Sequence, residues 1–88
     1  MTNELSSEDV RGAVFAKAPM GSRGYEERPV RELLQLAARR LDGRGYLSAE
    51  DVRAATLRTT SLLRRGYAKA EVDAFLERVV SAIEALEP

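Results

Sequence analysis

The chain has no cysteine and no histidine among its 88 residues. Without thiols it forms no disulfide and runs no thiolate chemistry, and an intracellular setting is expected over a secreted one. Without imidazole it lacks the ligands of the common zinc sites, the base of a histidine triad and a histidine pH switch. No apolar run approaches the roughly 18–20 residues of a membrane span, and the N-terminus lacks a signal-peptide pattern. The cytoplasm is therefore the expected compartment. Nor does one sign of charge dominate: fourteen basic residues face fourteen acidic ones. Long-range steering toward nucleic acid or an anionic membrane is weak for such a molecule, which leaves only local patches. A chain this short makes one domain, residues 1–88, and buries roughly 60–65% of its unfolded surface, which gives it reason to form a homodimer.

What the chain does have is a second copy of itself. Shifted by 42 positions it falls on itself without a gap, with 12 identities in the 38 positions from 5 to 42. Leu5-Ser6-Ser7-Glu8-Asp9-Val10-Arg11 lands on Leu47-Ser48-Ala49-Glu50-Asp51-Val52-Arg53. Arg23-Gly24-Tyr25 lands on Arg65-Gly66-Tyr67, and Val30 and Leu34 land on Val72 and Leu76. A fixed internal period marks a duplicated supersecondary unit. Two copies are fewer than the roughly three an open array needs, so the repeats 5–42 and 47–86 are expected to close on each other. A Gly linker, residues 43–46, joins them.

Each copy opens with a strong helix start. Ser6 fits an N-cap with Asp9 three residues on, a capping box with Asp in place of Glu, while Leu5 and Val10 fit a hydrophobic staple. Leu47, Ser48, Asp51 and Val52 repeat the arrangement. The first helix is short, because Pro19, Gly21 and Gly24 interrupt copy one. Copy two lacks the proline, so its first helix is expected to run somewhat longer. A left-handed backbone at Gly24 and Gly66 would explain the shared glycines. The second helix carries an apolar stripe at helical spacing: Val72, Phe75, Leu76, Val79, Val80, Ile83 and Leu86, matched by Val30, Leu33, Leu34, Ala37, Ala38 and Leu41. Pro29 confines its own position to a first turn, so that helix starts near residues 26–28, and Gly43 fits the C′ position at its end. The expected fold is all-α, two helix–loop–helix units packed about a pseudo-twofold axis, with no sheet.

The carboxylates sit mostly at helix starts and on polar faces, so none is assigned an acid/base role. Ser6 and Ser48 are caps, not nucleophiles. Gly21-Ser22-Arg23-Gly24 has neither the spacing nor the lysine of a phosphate-binding loop. No catalytic, cofactor-binding or metal-binding residue is assigned, and the chain is read as a non-enzyme. The candidate contact residues are Arg58, Leu62, Leu63, Arg64 and Arg65, a basic and apolar loop, with Arg23 beside Met20 as its weaker copy. Leucine or methionine at an anionic surface would wedge while arginine meets phosphate. Gly24, Tyr25, Gly66 and Tyr67 are read as a structural turn, the tyrosines closing the end of the core.

The run Glu8-Asp9-Val10-Arg11, Val14-Phe15-Ala16-Lys17-Ala18-Pro19, Gly21-Ser22-Arg23-Gly24-Tyr25, Val30 and Leu34 resembles the N-terminal domain of the DivIVA family of bacterial cell-division and polarity scaffolds. Glu50-Asp51-Val52-Arg53, Arg65-Gly66-Tyr67 and Glu71-Val72-Asp73-Ala74-Phe75-Leu76 resemble it again. The resemblance implies a short helix, a loop and a longer helix, with two chains intertwining their loops and continuing into a coiled coil. It also implies loop tips that touch membrane through an apolar residue beside an arginine. That apolar position is Ser22 or Arg64 here, while the basic one is kept as Arg23 and Arg65. The function so implied is an interaction or scaffold domain for protein partners and an anionic membrane surface, placed at a septum or pole. The rival from the residues alone is a nucleic-acid-binding helix-turn-helix module with an Arg-rich helix from Arg53 to Arg65. Zero net charge and acidic helix starts weigh against it, so no nucleic acid is expected as a partner.

Overall fold

The computed structural model describes residues 5–88, so positions 1–4 of the expected single domain lie outside the described residues. Four helices form among these residues: α1 (Ser7–Arg11), α2 (Glu27–Leu41), α3 (Ala49–Ala54) and α4 (Lys69–Glu84). They contain no β-strand and no sheet. None of these helices is long and apolar enough to cross a membrane.

Both short helices owe their start to the same cap. The Asp9 N–H donates to Ser6 Oγ at 3.1 Å and the Ser6 N–H donates to Asp9 Oδ2 at 3.0 Å. Ser48 and Asp51 repeat the box at 3.0 Å in each direction. Leu5, Val10 and Val52 are buried, and Leu47 packs half-buried on the same core, so each staple closes over its cap. α3 has six residues and α1 five, and both end well before the position of Pro19, so the missing proline does not lengthen the first helix of copy two and the expected extension is absent.

α2 carries Pro29 in its first turn, where the absent N–H costs nothing. It ends in a full Schellman motif: Gly43 has φ 80°, its N–H donates to the Arg40 carbonyl at 3.0 Å, and the Arg44 N–H donates to the Arg39 carbonyl at 3.0 Å. The chain then turns at once into α3.

Each short helix packs on the long helix that follows it, and the two long helices pack on each other. Arg11 pairs with Asp42 at 2.7 Å across α1 and α2, and Arg53 pairs with Glu84 across α3 and α4. Val10, Val30, Leu34, Val72, Val79 and Ile83 are almost wholly buried between the four. Ala37 and Ala38 let the helix backbones approach closely. The stripe of α4 is less completely covered than its spacing predicts. Phe75 and Leu76 are half-buried, because Phe75 lies at the margin of the core with one face against Phe15, 5.6 Å away edge-on. Leu86 is half exposed, because α4 ends at Glu84 and the residue falls out of helical phase.

Residues 55–68 are not helical, which removes the Arg-rich helix of the nucleic-acid reading. Ala55 is already extended, with ψ 135°. Thr56, Thr59 and Thr60 follow, β-branched residues that lose side-chain freedom in a helix. The extended segments after α1 and α3 pair across the molecule through single bridges, Lys17 with Tyr67, Tyr25 with Thr59, and Tyr25 with Tyr67. Nothing in the residue pattern announced this pairing.

Candidate functional site

The two loops cross at the Arg-Gly-Tyr triplets. Tyr25 and Tyr67 exchange backbone hydrogen bonds at 3.0 and 2.9 Å. The Ala18 N–H donates to the Gly66 carbonyl at 2.7 Å, and the Thr60 N–H to the Gly24 carbonyl at 2.8 Å. The Glu26 N–H donates to the Arg58 carbonyl and the Ala68 N–H to the Ala16 carbonyl, both at 2.8 Å. Each bond has a counterpart in which donor and acceptor are displaced by the 42-residue repeat.

The shared glycines are explained by this crossing. Positive φ occurs at Gly21 and Gly43 and not at Gly24 or Gly66, so the expected left-handed turn is absent there. The reason is room instead. A Cβ on Gly24 would lie 2.5 Å from the Tyr67 carbonyl oxygen, and one on Gly66 would lie 2.8 Å from Thr60 Cγ2 and 2.9 Å from the Tyr25 carbonyl carbon.

The tyrosine rings differ in their surroundings. Tyr67 is buried, stacked at a tilt on Phe15 at 5.2 Å, and its hydroxyl accepts from Arg31 Nε at 3.1 Å. Tyr25 is half-buried, and its hydroxyl donates to Asp73 Oδ1 at 2.7 Å. That hydrogen bond, with burial and the carboxylate's charge behind it, raises the Tyr25 hydroxyl above its ordinary pKa. Arg31 and Asp73 hold equivalent repeat positions, so one position supplies opposite charges to the two rings.

Two of the candidate arginines brace the crossing. Arg23 donates to the Thr60 carbonyl at 3.3 Å and Arg65 donates through Nε to the Ala18 carbonyl at 2.8 Å, again matched by the repeat. Beyond them the tips turn back, with the Ser22 N–H on the Pro19 carbonyl at 3.0 Å and the Arg64 N–H on the Ser61 carbonyl at 3.3 Å. The tips expose apolar side chains: Met20 is 79%, Leu62 52% and Leu63 96% accessible.

Both tips lie at one end of the molecule. Glu26 and Ala68, the residues just before α2 and α4, take part in the crossing. Leu41 lines a groove with Ala82 and Ala85, so the two long helices also end together. The Arg11–Asp42 and Arg53–Glu84 pairs tie the short helices to that far end. Each loop therefore runs from the far end to the crossing.

Arg58, Arg64 and Arg65 line one cleft of about 620 Å³ beside the second tip. Arg23 stands outside it, at the first tip. The cleft also takes Lys17, Arg28, Glu26, Glu27 and Thr60. Lys17 pairs with Glu27. Neither Lys17 nor Arg28 stood out in the sequence, because only the crossing of the loops brings the first copy's residues beside the second copy's tip. The roomier groove of about 740 Å³ is at the opposite end, lined by Leu5, Leu41, Ala82 and Leu86, with Glu77 and Arg78 as its charged residues.

No protein-family model, curated protein or solved structure matches the chain.

Proposed function

We propose that this chain is a non-enzymatic interaction domain of the DivIVA type, in which one polypeptide supplies both halves of a unit that the family builds from two chains. In this reading the two repeats are related by a pseudo-twofold axis through the Tyr25–Tyr67 pair, and the crossed loops take the place of intertwined ones. The observation that carries it is the reciprocity of the crossing: bonds from Ala18, Tyr25 and Glu26 recur as bonds from Thr60, Tyr67 and Ala68. The far end serves protein partners, and the tips serve an anionic membrane surface at a septum or pole. Met20, Leu62 and Leu63 are too few to anchor the chain, so arginine and surface charge supply most of the attraction, at about 1 kcal/mol for each basic residue near the surface.

The test is vesicle binding by the full chain, read beside its mass in solution. Anionic vesicles bind at low salt and release as salt rises, and neutral vesicles bind poorly. Arg64→Glu with Leu63→Ser abolishes binding without changing the melting temperature, since both side chains are exposed. Failure to bind anionic vesicles at low salt removes the membrane half of the reading and leaves a protein-facing scaffold.

A further inference from the structure

We propose that the cleft beside the second loop tip binds the phosphomonoester headgroup of a membrane lipid; the inference rests on the membrane-facing reading and names what that face recognises. Arg28, Arg58 and Arg64 line the cleft, and none of their guanidinium groups forms an ion pair or a hydrogen bond among the described residues. Carboxylates are close at hand: Glu26 and Glu27 line the same cleft. Glu27 is taken up by Lys17, so four arginines face one free carboxylate. Arg65 is held at its edge by its bond to the Ala18 carbonyl. Uncompensated arginines collected in a concavity are a site prepared for an anion from outside.

The fold does not need these arginines. The two copies make the same crossing, yet the positions matching Arg28, Arg58 and Arg64 hold Ala70, Ala16 and Ser22. Glu26 is matched by Ala68. The backbone bonds of Arg58 and Ala16 are the same in kind and length, so the guanidinium adds nothing to them. The charge is therefore an addition to one side of a duplicated scaffold, and the site is single.

Its chemistry selects among anions. A phosphomonoester carries about −1.5 to −2 charges and three terminal oxygens. Planar guanidinium forks grip such oxygens in pairs. A phosphodiester has one charge and two free oxygens and would leave arginines unanswered. The neighbouring side chains decide the source. Leu63 and Leu62 stand exposed on the tip that carries Arg64, and a free phosphate gains nothing from them, whereas a lipid presents acyl chains just below its headgroup.

The experiment compares the full chain on phosphatidic acid vesicles and on phosphatidylglycerol vesicles of matched surface charge, at one salt concentration. The expected result is binding about tenfold tighter to phosphatidic acid. The double variant Arg28→Ala with Arg58→Ala weakens binding to both vesicle types but costs about tenfold more on phosphatidic acid, which brings the two to parity. Both side chains are exposed, so its thermal melt matches the parent. Equal binding to the two lipids, or a preference that survives the double variant, overturns the headgroup site while the membrane reading stands. Inorganic phosphate that protects these arginines in solution, with no lipid preference on vesicles, also overturns the lipid source. Absence of binding to either vesicle brings down the membrane reading itself, and this site with it.

Discussion

Gly66 meets Tyr25 so closely that a side-chain carbon at Gly66 would sit 2.9 Å from the Tyr25 carbonyl carbon. That spacing lets the two Arg-Gly-Tyr triplets pass each other. It also makes the crossing sensitive to a single methyl group.

Gly66→Ala is expected to cost about 3 kcal/mol, at the upper end for overpacking, because its neighbours are backbone and a buried threonine. Gly21→Ala is the control. Gly21 has open space around it and φ 81°, so only the left-handed backbone penalty of about 1 kcal/mol applies. Urea unfolding of the two variants gives the comparison; equal losses would mean the loops do not pass this closely.

In the core, the cost of truncation follows burial and not helix position. Ile83 is wholly buried, so Ile83→Ala removes about 2–5 kcal/mol, which approaches the whole stability of a domain this small. Phe75 is half-buried, so Phe75→Ala costs about 2 kcal/mol instead of the 3–5 that full burial brings. Thermal or urea melts that reverse this order would contradict the observed packing.

Acid should weaken the fold in a defined window. The Ser7 hydroxyl and the Arg11 guanidinium hold the Asp42 carboxyl down to about 2, from an ordinary 3.8. The cap bonds to Ser6 and Ser48 lower Asp9 and Asp51 in the same way. A carboxylate whose pKa is depressed by folding stabilises the native state above its unfolded pKa, and that contribution is lost as pH falls through the folded value. Stability is therefore flat from pH 7 to about 5 and declines between about pH 4 and 2. Asp42→Asn lowers the plateau and shallows the decline, as urea midpoints taken across that range would show.

The helices were legible because their signals are local. Ser6 and Ser48 with their aspartates fix two starts, Gly43 fixes an end, and the Val30 and Val72 stripes fix the buried faces. The crossing was not legible in the residues themselves and entered only as the intertwined loops that the resemblance implies. Its bonds join Ala18 to Gly66 and Thr60 to Gly24, backbone groups that carry no residue code. The glycines were visible, but close approach and left-handed backbone ask for the same residue, and only coordinates separate them. The cleft was half legible: Arg58, Arg64 and Arg65 stood out as a cluster, while Arg28 joins them only through the crossing.

Amide hydrogen exchange at the loop crossing tests the central claim most directly. Ala18, Tyr25, Glu26, Thr60, Tyr67 and Ala68 lie outside every helix, yet each N–H donates to a carbonyl of the other copy. The account predicts that all six are protected nearly as well as the core of α2 and α4, and that they open together as the chain unfolds globally. Exchange of these amides at the rate of open loops, with the helices still protected, would contradict the crossing and the proposal built on it.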